Sequence, residues 1–341
     1  MREIDNDLLH ETLLSKKPIL AFDECVDYSV WKEKIKAQYL QLLGMEEIAK
    51  NDCDLRVEIE EEIEKDGYIR YRYIFESEKG CFVPCYLLIP NTGKEKYPVM
   101  LCLQGHTAGF HISIGERKYA GDEKALETST FALDAVANGY AALCIEQRGM
   151  GERQPRYPHR GKMEGAGCPC YYTALTALLV GRTLIGERVW DISKAIDSLS
   201  CFECLDLEDI TCLGTSGGGT ATYYAACYDE RIKTAVPSCS VCTYKASIGN
   251  TWHCSCNYIP NVVKYFDMAD LAALIAPRKL LLVNGEFDPI FPIEGTRETY
   301  RVIEKIYQKA GVANACELIE VPFEHYFDKK RVFDRLRREN E

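Results

Sequence analysis

The chain has 341 residues, 47% of them hydrophobic, and a formal net charge of −11, enough for one large α/β domain or two ordinary ones with a sizeable core. The one basic run is a short RLRR near the C-terminus, so the basic stripe that a nucleic-acid partner would need is missing and that class is set aside. No stretch of about eighteen apolar residues offers a transmembrane helix, and the acidic N-terminus MREIDNDLLHETLLSKKP lacks the apolar segment and cleavage site of a signal peptide, so a cytoplasmic protein with no membrane partner is expected.

In chain order, residues 1–55 predict an N-terminal helical extension: WKEKIKAQYLQLLGM (31–45) places apolar residues three and four apart and reaches Gly44 near its end. From Arg56 to Pro90 the pattern changes to the alternation of antiparallel strands, in RVEIEEEI, YIRYRYIFE and FVPCYLLIP, with DG and KG turn signals between them. After Pro98 come continuous apolar runs of the kind buried on both faces: VMLCLQG, AALCIEQ, DITCLG, IKTAVPS, KLLLVNG and CELIEVP. The segments between them are long enough for crossover helices, which predicts a mainly parallel sheet with helices on both faces. Two Gly-, aromatic- and Cys-rich segments, 148–172 and 246–260, break this rhythm. Both are expected as long loops at the C-terminal edge of the sheet, where open α/β sheets bind ligands.

The seventeen cysteines are odd in number in a chain far longer than disulfide-stapled scaffolds, so reduced thiols are expected. Many stand where a small apolar residue would serve. The pairs Cys168/Cys170, Cys201/Cys204, Cys239/Cys242 and Cys254/Cys256 invite a metal reading. Cys201/Cys204 precede one strand whereas Cys239/Cys242 follow its neighbour, so those two pairs fall at opposite ends of a parallel sheet. A structural role is expected for the cysteines, with no metal.

Gly214-Thr215-Ser216-Gly217-Gly218 fits G-x-S-x-G, with a buried strand before it and a small-residue helix after it. Such a turn holds a serine in a strained conformation, and glycine at 214 and 218 removes side chains that would collide. A phosphate loop would also join strand to helix, but the G-K-[ST] ending and a spaced G-x-G-x-x-G are both absent. A serine hydroxyl needs a base to take its proton. Asp288, in the Asp-Pro turn of KLLLVNGEFDPIFP, is the expected acid, with Glu286 as its rival. His325, in CELIEVPFEHYF, is the one histidine of six after the last predicted strand and is the expected base. Oxyanion donors are expected from the backbone N–H groups of Gly217 and His106.

With these motifs in order, the chain from about residue 56 to 333, within an expected domain of residues 56–341, resembles the α/β-hydrolase superfamily, most closely its dienelactone hydrolase and acetyl xylan esterase-like group. LQGHTAG, EQRGMGER, GTSGG, WHCSCNYIP, APRKLLLVNGEFDPIFP and EHYF carry the likeness. It implies an eight-stranded, mostly parallel sheet, a Ser216-His325-Asp288 triad, and hydrolysis of a small carboxylic ester, such as an acetylated sugar or glycoside, without a cofactor. Dienelactone hydrolases proper use a cysteine nucleophile, so Ser216 points to ester chemistry, and Glu146 stands where many relatives have Asp. Arg148, Trp252, His253, Tyr258 and Phe291 are candidate substrate contacts, with Tyr171, Tyr172, Arg153 and Arg156 nearby in the long loops. A serine peptidase of this fold and a non-catalytic binding protein are the competing readings, and homo-oligomerisation is left open.

Overall fold

The computed structural model describes residues 7–155 and 170–340. Nine strands form one sheet: β1 (Val57–Lys65), β2 (Tyr68–Glu78), β3 (Cys81–Pro90), β4 (Tyr97–Leu103), β5 (Ala141–Ile145), β6 (Leu205–Thr215), β7 (Ile232–Ser238), β8 (Lys279–Gly285) and β9 (Cys316–Val321). Their order is β1-β2-β3-β5-β4-β6-β7-β8-β9. Pairing is antiparallel from β1 through β3 to β5 and parallel from β5 through β4 to β9.

The expectation of eight strands is thus corrected to nine. Each of the nine apolar or alternating runs read from the sequence becomes a strand, whereas the figure of eight came from the resemblance. The edge strand β1, VEIEEEIEK, is mostly exposed. Its row of glutamates blunts an edge that would otherwise recruit a further strand.

Alternation in the central strands divides the core between the two faces. Val99, Leu101 and Leu103 of β4 and Leu280 and Leu282 of β8 join one apolar cluster. Met100, Cys102, Leu281 and Val283 join the other. Because helices cover both faces, these strands read as unbroken apolar runs. Helices Leu184–Ser198, Gly217–Tyr228, Met268–Ile275 and Ile293–Lys309 supply residues to the first cluster. Phe131–Ala137 and Lys329–Asn340 supply the second through residues such as Phe131, Ala135, Val332 and Phe333.

The N-terminal extension is helical over Asp7–Leu14, Tyr28–Leu43 and Met45–Ala49. Trp31, Ile35, Tyr39 and Leu43, four residues apart, are buried in the first cluster. The Tyr39 hydroxyl donates to the Tyr224 carbonyl at 2.6 Å, which ties the extension to the helix that follows Ser216. Gly44, at φ 73°, closes the long helix as its C-cap.

Candidate active site

Ser216 lies between β6 and helix Gly217–Tyr228 at φ 53° and ψ −123°, a region that costs a side-chain-bearing residue of order 1–3 kcal/mol. Close packing holds it there. The Ser216 N–H donates to the Ser238 carbonyl at the end of β7 (2.9 Å), and Gly218 lies so close to β4 that an added Cβ would overlap the Leu103 carbonyl oxygen. A Cβ on Gly214 would in turn collide with the Gly218 carbonyl. Both glycines therefore give the clearance expected of them.

The expected acid and base sit beyond the ends of β8 and β9. Asp288 is buried, and its Oδ1 accepts from the N–H groups of Ile290 (3.0 Å) and Phe291 (2.9 Å). Its Oδ2 meets His325 Nδ1 at 2.7 Å. Burial favours a neutral carboxyl, but the His325 hydrogen bond and charge together with the two N–H donors hold it below the usual carboxylate range. The rival Glu286 is exposed. No described residue partners the buried His325 Nε2, and the ring stacks on Phe291 with centroids 6.0 Å apart.

Ser216, His325, Gly105 and His106 line one pocket of about 350 Å³. The first-turn N–H groups of a helix lack intrahelical acceptors, which leaves that of Gly217 available to a ligand. Trp252, His253 and Phe291, three of the expected substrate contacts, line the same pocket, and Trp252 is 73% exposed. His253 Nε2 is 2.9 Å from Ser247 Oγ and 3.0 Å from the Ile290 carbonyl. Burial lowers its pKa, so a neutral ring steadies the Asp288 loop.

Other expected contacts lie elsewhere. Arg148 is buried among the chain's own acids: it donates to Glu78 at 2.5 Å and to Asp191 at 2.8 Å, and lies 3.4 Å from Glu187. Arg153 joins it on Asp191 at 2.7 Å. This network corrects the expectation that Arg148 meets substrate, because its fork is already filled by carboxylates. Tyr258 is half exposed and donates to the Ile248 carbonyl, outside the pocket lining. Tyr171 and Tyr172 belong to helix Cys170–Leu179 rather than to a loop running to 172, and Tyr172 lines a separate depression with Arg153. Arg156 lies outside the described residues. Sequence reading did not single out Thr128, Ser129 and Asn257 in the pocket wall; Thr128 and Ser129 carry no motif and arrive by chain folding alone, whereas Asn257 lies within WHCSCNYIP.

Glu146 follows β5 and is buried behind the loop after β4. Its Oε1 accepts from Gln104 Nε2 at 3.0 Å, and its Oε2 from the N–H groups of Glu152 (3.2 Å) and Phe110 (3.3 Å). Burial outweighs those donors and pushes its pKa up to about 7. On the other side of the loop, His106 Nε2 lies 3.3 Å from Cys256 Sγ. Burial opposes charge on this ring, yet the Cys256 and Cys170 sulfurs push its pKa up to about 10. Hydrogen bonds from Cys170 and Cys254 hold the Cys256 thiol well below its ordinary value.

This fold and this pocket define the class: the chain has the α/β-hydrolase fold. The sequence profile of the Abhydrolase family matches residues 4–162. Among individual proteins, the chain is 26% identical over 246 residues to the Bacillus subtilis (strain 168) protein named "Putative hydrolase YtaP", covering 71% of this chain and 78% of that one. A Bacteroides fragilis NCTC 9343 crystal structure, described as a "putative acetyl xylan esterase", superposes with a TM-score of 0.79 at 17% identity, over 99% of this chain and 95% of its own. A glucuronoyl esterase from Solibacter usitatus superposes with a TM-score of 0.65 at 16% identity, over 94% and 96% of the two chains. At these identities the structural likeness establishes the fold.

Proposed function

We propose that the protein is a serine hydrolase of small carboxylic esters, with an acetylated sugar or glycoside as the expected substrate class. The observation that carries this reading is the 2.7 Å Asp288–His325 hydrogen bond in the wall of the pocket that also contains the strained Ser216. The fold relatives described as acetyl xylan and glucuronoyl esterases support an ester of a carbohydrate.

In the proposed reaction, Ser216 Oγ attacks the ester carbonyl while His325 Nε2 takes its proton. Asp288 fixes the tautomer by accepting from Nδ1 and stabilises the imidazolium that forms. The N–H groups of His106 and Gly217 receive the oxyanion. His325 returns the proton to the departing alcohol, then activates water to release the acid and regenerate Ser216. A pocket of about 350 Å³, at the small end for ligand sites, favours a short acyl group. The reading includes a cytoplasmic compartment. Among the described residues no helix is long and apolar enough to cross a membrane.

The test is a panel of acetylated, methylated and feruloylated esters assayed with the wild type and Ser216→Ala. Turnover of an acetyl ester that falls by about three or more orders of magnitude in the variant is expected. Equal rates in the two proteins would refute the assignment. Failure of a fluorophosphonate probe to label Ser216 would favour a binding protein.

A further inference from the structure

Beside the pocket, four side chains from three separate parts of the chain converge. They are His106 from the loop after β4, Cys170 at the start of helix Cys170–Leu179, and Cys254 and Cys256 from the loop 246–260. One ligand atom from each lies within 4.8 Å of all the others. Cys256 Sγ is 3.2 Å from Cys254 Sγ and 3.3 Å from His106 Nε2. A tetrahedral zinc ion with Zn–S near 2.3 Å and Zn–N near 2.0 Å sets its ligands about 3.5–3.8 Å apart. These two separations are a few tenths of an ångström shorter than that and every other pair lies within 4.8 Å, so small side-chain adjustments would close the shell. We propose that His106, Cys170, Cys254 and Cys256 form a Cys₃His structural zinc site that staples the oxyanion loop to the two long active-site segments.

Charge supports this assignment independently. Arg188 is buried, donates its Nε and Nη2 to the Arg148 carbonyl, and gives Nη2 to Cys170 Sγ at 2.9 Å. Among the described residues no carboxylate pairs with it, and its Nη1 has no partner. Three thiolates, a neutral imidazole and Zn²⁺ sum to one negative charge, which this guanidinium balances. With three neutral thiols instead, Arg188 would be a buried cation without a counter-ion, an expensive arrangement. The donor set selects zinc among common divalent ions because thiolates are soft ligands. Met150, Ala174 and Leu184 pack around the sulfurs and limit access of water. Four protein ligands fill the shell and leave no open position, so the ion holds structure and takes no substrate. Its function is to position the loop that carries the His106 N–H. The sequence reading gave these cysteines a structural role without a metal; here the structural role is the metal's. Of the pairs read from the sequence, Cys254/Cys256 supplies two ligands and Cys170 a third, while Cys168 lies outside the described residues.

The experiment uses the full chain without a polyhistidine tag, purified without chelators from zinc-supplemented cells. Elemental analysis is expected to find about one zinc per chain, with X-ray absorption giving three sulfur ligands and one nitrogen. Cys170→Ser and Cys254→Ser should each lose the zinc. If those variants do not fold, cobalt exchange of the wild type decides: intense ligand-field bands together with thiolate charge-transfer absorption are expected. Protein without bound metal, metal retained fully by folded Cys254→Ser, a Cys254–Cys256 disulfide found by mass spectrometry, or cobalt spectra without thiolate bands would each overturn the proposal. None of these outcomes depends on esterase activity, so the site can fail while the proposed function stands, and the reverse.

Discussion

His325 Nδ1 and Asp288 Oδ2 lie 2.7 Å apart, while the second oxygen of the same carboxylate is held by the N–H groups of Ile290 and Phe291. The Asp288 carboxylate is therefore fixed by its own turn, independently of its bond to His325. In Asp288→Asn the amide would offer an N–H to Nδ1 and favour the wrong tautomer. The fold should survive, because the side-chain oxygen can keep the two backbone bonds. Turnover of the best ester is expected to fall about 10⁴-fold with KM little changed, measured by steady-state kinetics beside a thermal melt. A loss below about tenfold would remove Asp288 from the triad.

Arg148 separates a structural from a substrate-binding arginine. Arg148→Met leaves Glu78 and Asp191 buried with one cation fewer, although Arg182 still reaches Glu78 and Arg153 still reaches Asp191. Breaking a buried pair costs about 3–5 kcal/mol, and the remaining cations place this case at the low end. Denaturant unfolding should show that loss, while KM for the ester in the folded fraction stays near wild type. A large rise in KM without loss of stability would return Arg148 to the substrate.

Much of the site was legible because its chemistry stands at strand ends. Ser216, Asp288 and His325 each follow an apolar run, in the order the topology requires, and sterics name the glycines around the serine. All nine strands were legible as runs, and the number eight entered only through the family likeness. What could not be read was pairing across the fold. Arg148 is 70 residues from Glu78 and 43 from Asp191, and nothing local marks them as partners. The same holds for His106 and Cys256, 150 residues apart: spacing reveals ligand pairs within a loop but not the meeting of three loops.

Glu146 gives a pH dependence with a definite sign. Burial raises its folded pKa to about 7 from an ordinary 4.5. Its favourable contribution to stability is complete below about pH 4.5, where folded and unfolded states are both protonated, and is lost as pH rises through 7. The loss amounts to about 3 kcal/mol. Asp270, also raised to about 7 by burial, titrates in the same window, so the wild-type profile alone is ambiguous. The difference between Glu146→Gln and wild type isolates the glutamate: unfolding free energies should shift in favour of the variant by up to about 3 kcal/mol between pH 4.5 and pH 8. A pH-independent difference would mean that Glu146 is ionised throughout.

Gly218 links the turn at Ser216 to the loop after β4, the proposed oxyanion loop. An added Cβ would overlap the Leu103 carbonyl oxygen and come within 2.5 Å of the Gln104 carbonyl oxygen. Both are backbone atoms, which cannot rotate away as the tip of a side chain can, so Gly218→Ala must push β4 and the elbow apart. Overpacking of this kind costs about 1–3 kcal/mol. The displaced strand leads through Gln104 and Gly105 to the His106 N–H, so the oxyanion donor should move with it. A donor lost from an oxyanion hole costs about 10²–10³ in turnover. The variant is therefore expected to show both a lowered melting temperature and a turnover reduced by about that factor, while a fluorophosphonate still labels Ser216 slowly. Unchanged turnover in a destabilised Gly218→Ala would show that the His106 N–H takes no part in the reaction.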